Sequence, residues 1–78
     1  LYAIIEIKKG VDYMFSYIPL FTLLVRKGMT KTQLREAVGI GTATLAKMSK
    51  NEYVSMEVLD KICNYLECDI EDVIKHQP

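Results

Sequence analysis

The 78 residues, 50% apolar and 26% charged with four glycines and two prolines, bound the chain to one small globular domain and exclude a disordered or fibrous one. Two cysteines are too few for a disulfide scaffold, and with His76 they are too few for a zinc site, so reduced thiols are expected. The formal net charge of zero is a cancellation: residues 26–50 carry six cations against Glu36, net +5, and residues 51–78 carry seven carboxylates against two lysines, net −5.

Residues 1–8, LYAIIEIK, place Leu1, Ala3, Ile5 and Ile7 on one side, the alternation of a strand, although no later segment reads as its partner. The segment carries Glu6 early and lacks a basic head, so it does not read as a secretory signal. Lys8-Lys9-Gly10-Val11 back-translates into a purine-rich run of the kind that forms a ribosome-binding sequence ahead of an ATG. Residues 1–13 are therefore expected to be an N-terminal extension, a translated leader, with the native start at Met14 and the domain over 14–78. The longest apolar stretch, residues 18–25, is interrupted by Pro19 and Thr22 and is too short to span a bilayer; a cytoplasmic protein is expected.

From Tyr17 the period becomes helical. Pro19 falls in a first turn, Leu20, Phe21, Leu23 and Leu24 supply an apolar side, and Arg26-Lys27-Gly28 ends the helix with cations and a glycine. Thr30 followed by Gln33 is a capping box, opening a helix of two turns with Leu34, Ala37 and Val38 expected inward. Gly39-Ile40-Gly41 breaks it, and a third helix from Thr42 to about Ser49 is expected to bury Leu45 and Met48. Ser55 caps a fourth, with Leu59, Ile62, Cys63 and Leu66 at helical spacing, and Asp69 caps a fifth with Ile70, Val73 and Ile74 inward. The expected fold class is all-α, a compact bundle of five helices with a short N-terminal strand.

Two short helices joined by a glycine-containing turn form the supersecondary unit of helix-turn-helix DNA binders. Leu34, Val38, Gly39, Ile40, Leu45 and Met48 supply the apolar anchors and the turn glycine of that unit. The ordered string "KGMTKTQLREAVGIGTATLAKM", a loop, and then "VSMEVLDKICNYLECDIEDVI" resembles the Cro/CI-type (XRE family) helix-turn-helix domain of small single-domain bacterial regulators, over roughly residues 17–76. The resemblance implies a lambda-repressor-like bundle whose third helix lies in the DNA major groove. It assigns base reading to Thr42, Ala43 and Thr44, whose hydroxyls and methyls can meet base edges. It assigns phosphate contacts to Lys31, Lys47 and Lys50, with Thr32, Asn51 and Tyr53 as weaker candidates. Many family members carry alanine where this chain has Arg35; the arginine stem is expected to lie along the helix crossing with its guanidinium in water or on a phosphate.

Such a contact set is modest for a single copy, so a homodimer on a palindromic double-stranded site is expected. The leading functional expectation is a transcriptional regulator that represses by occlusion. The alternative is a protein-interaction module of the same fold, an antitoxin-like or anti-repressor partner that docks through its acidic C-terminal half. The residues offer no convergent nucleophile and base, no phosphate-cradling loop and no metal cluster, so neither an enzyme nor a cofactor, metal or small-molecule ligand is expected.

Overall fold

The computed structural model describes residues 14–77; the strand and the leader expected within residues 1–13 lie outside the described residues. In chain order the elements are β1 (Phe15–Ser16), α1 (Ile18–Lys27), α2 (Lys31–Val38), α3 (Thr42–Ser49), α4 (Met56–Leu66), a single 3-10 turn (Ile70–Asp72) and β2 (Lys75–His76). Local chemistry sets most of the boundaries. Pro19 sits in the first turn of α1, where its missing N–H costs nothing, and the helix ends at Gly28, which takes the left-handed conformation at φ 68°. The Thr30 hydroxyl accepts from the Gln33 N–H at 3.0 Å, and the Gln33 side chain accepts from the Thr30 N–H at 2.8 Å, so the capping box closes in both directions. The Ser55 hydroxyl accepts from the Val58 N–H at 3.2 Å and starts α4 in the same manner.

The core is one cluster that draws on every helix. Tyr17, Leu20, Leu24, Leu34, Ile40, Met48, Leu59, Ile62, Leu66 and Val73 are buried, and Val38, Val54, Cys63 and Ile74 pack around them. Each fully buried leucine, isoleucine or methionine among them contributes about 1.5–3 kcal/mol relative to an exposed position. α2 packs on both α3 and α4, and α1 packs on the 3-10 turn, where the Leu20 N–H donates to the Val73 carbonyl at 3.2 Å.

Three expectations change. The fifth helix is one 3-10 turn, because the backbone beyond Val73 leaves the helical path to form β2. That strand pairs antiparallel with β1, Phe15 opposite His76 and Ser16 opposite Lys75, and the Phe15 and His76 rings meet edge-on at 5.0 Å. Ala37 is exposed rather than inward, since Leu34 and Val38 fill the stripe of α2 that faces the core. Ile70 is 42% exposed, since the short turn points only Val73 fully inward.

Candidate nucleic-acid interface

The turn between α2 and α3 is built around two backbone requirements. Gly39 occupies the left-handed region at φ 74°, and its N–H donates to the Arg35 carbonyl at 2.9 Å. Ile40 follows with its side chain buried in the core, which fixes where the turn sits, and its N–H bonds the same carbonyl at 3.2 Å. Gly41 is then the N-cap of α3 in extended conformation and supplies no side chain to close the helix start. With no acidic residue in its first turn, α3 begins with the positive end of its dipole uncompensated by any side chain of its own.

Burial along α3 divides the helix. Met48 is fully buried and Leu45 half-buried, while Thr42, Ala43, Ala46, Lys47 and Lys50 are exposed. At about 100° per residue these five share one arc of the helix surface, with Thr42 and Ala46 one turn apart. Thr44 is half-buried and lies at the edge of that arc, on the side of Leu45 and Met48. Ala46 was not among the residues singled out in the sequence, although its spacing of four from Thr42 places it between the exposed threonine and Lys50.

The cations around this arc differ in how they are held. Lys31, at the first position of α2, has its ammonium 4.1 Å from the centre of the Phe21 ring, a cation–π contact that fixes a long side chain without neutralising it. Lys47 and Lys50 are exposed at the far end of α3, and Thr32 is exposed one residue after Lys31. The Arg35 guanidinium turns to its neighbour Glu36 at 3.6 Å. It thereby occupies the carboxylate that was the sole acid in residues 26–50.

Asn51 has a second engagement. Its backbone is left-handed at φ 60°, its N–H donates to the Met48 carbonyl at 3.1 Å, and its side-chain oxygen accepts from the Tyr17 N–H at 3.1 Å. Only the amide NH₂ end of this side chain is left to meet a phosphate. Tyr17 completes the tie by donating its phenolic hydroxyl to the Glu52 carbonyl at 2.8 Å. Burial pushes the phenol above its ordinary value of 10.0, a backbone hydrogen bond from Val54 opposing the shift. Neither Tyr17 nor this clamp was legible as part of the site, because it joins residues 34 and 35 positions apart. Tyr53 rests edge-on against Phe15 with ring centres 6.5 Å apart.

Comparison with known proteins gives the geometry its setting. A family model for the Cro/C1-type HTH DNA-binding domain matches residues 20–78. The chain is 33% identical over 57 residues to the HTH-type transcriptional regulator YozG of Bacillus subtilis (strain 168), a match covering 70% of this chain and 68% of that protein. The crystal structure of the transcriptional regulator VanUg is similar with a TM-score of 0.81 and 43% identity, over 91% of this chain and 99% of that one. This is the fold of a DNA-binding regulator rather than of an enzyme class. Among the described residues no helix is long and apolar enough to cross a membrane.

Proposed function

The chain belongs to the Cro/C1-type helix-turn-helix DNA-binding domain family, and from that premise we propose that it is a sequence-specific double-stranded-DNA-binding regulator that represses transcription in the cytoplasm. The observation that carries the reading is the exposed arc of α3, which presents Thr42 and Ala43 from an uncapped helix start and is bordered by lysines rather than carboxylates. A helix fits the major groove, about 12 Å wide, most closely where its side chains are small. Thr42 donates to or accepts from a base edge, Ala43 meets a thymine methyl, and Thr44 reaches the groove wall from the edge of the arc. Lys31, Thr32, Lys47 and Lys50 take phosphates, and the Asn51 amide adds one donor.

Two or three contacts of this grade per copy favour a pair of copies on half-sites about 34 Å apart. Exposed Tyr53, Met56 and Ile70 supply apolar surface for such a homodimer. Occupying a site that overlaps a promoter would then exclude the polymerase.

The test is duplex binding titrated against salt. Affinity should fall steeply as salt rises, and replacing Lys47 and Lys50 together by alanine should lower the slope of log K against log salt by about 1.8, roughly 0.9 for each phosphate no longer neutralised. An absence of binding to any duplex at low salt sinks the reading. Transcription from a promoter carrying the selected site should drop on addition of the protein; a rise would reverse the sign of regulation.

A further inference from the structure

Among the described residues, three of the four α-helices end in the same way. A residue in the left-handed region follows the last turn: Gly28 after α1, Gly39 after α2 and Glu67 after α4. The next N–H then reaches five residues back, from Met29 to the Leu24 carbonyl at 2.9 Å, from Ile40 to Arg35 at 3.2 Å and from Cys68 to Cys63 at 3.1 Å. This is the Schellman arrangement, and it brings the side chains at the two ends of that bond together, usually as an apolar contact. At α1 the pair is Leu24 and Met29. At α4 it is a pair of thiols.

Both cysteines are free and half-buried, and they pack against the core from the same side. Both line an open cleft of about 440 Å³ whose other walls are Asn64, Glu67, Asp69 and Asp72. The two thiols act on each other electrostatically, and the backbone Cys68 N–H donates to the Cys63 carbonyl at 3.1 Å. A disulfide needs Cα atoms about 4.4–6.8 Å apart and convergent side chains. A Schellman return carries its two end residues on adjacent stretches of backbone, and here both thiols line the same cleft. Glu67, left-handed at φ 53° although it is not glycine, shows that the fold holds this turn against a local preference.

We propose that Cys63 and Cys68 form a reversible oxidation site, a dithiol that closes to an intramolecular disulfide by exchange with small-molecule disulfides. The Cys63 thiolate attacks one sulfur of the small disulfide, forming a mixed disulfide and expelling the first small thiolate, which takes up a proton. Cys68 gives up its proton and attacks the Cys63 sulfur, and the bond to the second small thiol breaks. Two protein thiols are oxidised and one small disulfide is reduced to two thiols. Burial holds the Cys63 thiol above its ordinary range; Cys68 opposes the shift, and the smaller effects of the Asp60, Asp69 and Asp72 carboxylates add to it. Attack is therefore slow, and the site answers sustained oxidising conditions rather than brief ones. The new bond staples the end of α4 to the segment that leads into the 3-10 turn, and leaves α3 untouched.

The full chain, incubated with oxidised glutathione at mildly alkaline pH and then alkylated, provides the test by intact mass. The expected product is a monomer lighter by two hydrogens, with both thiols consumed together and both restored by dithiothreitol. Its helical circular dichroism should be unchanged and its thermal midpoint shifted upward. The Cys68→Ser variant should stop at the mixed disulfide on Cys63. A wild-type chain that keeps its mixed disulfide as the variant does, or that yields only covalent dimers, overturns the proposal. So does a loss of helical signal on oxidation. A chain in which neither thiol reacts after prolonged exposure overturns it as well.

Discussion

Tyr17 and Asn51 hold each other across 34 positions of sequence, the backbone N–H of the first donating to the side-chain oxygen of the second at 3.1 Å. With the Tyr17 hydroxyl on the Glu52 carbonyl, the loop that follows α3 is pinned to the residue that precedes α1. α3 is thus fixed at both ends, by the buried Ile40 before it and by this clamp after it.

The clamp predicts unequal costs for two substitutions at one position. Asn51→Ala removes the hydrogen bond and leaves at φ 60° a residue that tolerates the left-handed region less well than asparagine, so it should destabilise by about 2 kcal/mol. Asn51→Gly removes the same bond but relaxes the backbone, and should cost about 1 kcal/mol less than alanine. Equal losses in urea denaturation would show that the left-handed conformation carries no strain.

The Tyr17 phenol predicts an alkaline limit. Its folded pKa is raised above 10.0, so the native state binds the phenolic proton more tightly than the unfolded chain does. The resulting stability is fully present below about pH 10 and is lost as pH rises through the folded value. Tyr17→Phe should remove this component, flattening the alkaline arm of a stability–pH curve, and should cost about 1 kcal/mol at neutral pH for the missing bond to Glu52. A variant with an unchanged alkaline arm would place the titrating group elsewhere.

The exposed arc of α3 predicts a separation of binding from stability. Ala46 lies on that arc, so Ala46→Glu should leave the thermal midpoint within a degree or two while cutting DNA affinity at least tenfold, since a carboxylate facing phosphates costs several kcal/mol. Met48→Ala, two residues later but fully buried, should destabilise by about 2–5 kcal/mol. Affinity that survives Ala46→Glu would move the interface off this face.

The stack of Lys31 on Phe21 predicts a graded effect. Phe21→Leu should weaken binding to every duplex alike, by less than Lys31→Ala does, because the lysine keeps its charge but not the ring that positions it. A change in sequence preference in either variant would make Lys31 a base contact.

What the sequence disclosed follows the range of each interaction. Thr30 with Gln33, Ser55 with Val58, Gly28 and Gly39 are devices that act within a few residues, and all stand where the spacing placed them. The left-handed Glu67 carries no glycine to betray it, and β1 and β2 are two residues each, too short for an alternation to register. The 3-10 turn replaces a helix because a long-range pairing competes for its last residues, which no local pattern reports. At the site, the outward positions of Thr42 and Ala43 follow from helical period. The half-burial of Thr44 and the inward duty of Asn51 depend on neighbours that folding alone supplies.

The ribbon of β1 and β2 makes the two extremities of the described chain into neighbours. Anything attached beyond either one would emerge at the same corner of the domain, beside Phe15 and His76. Trimming Lys75 and His76 should accordingly be felt sixty positions away, as faster amide exchange around Ser16, about as much as trimming the front would be felt at the back.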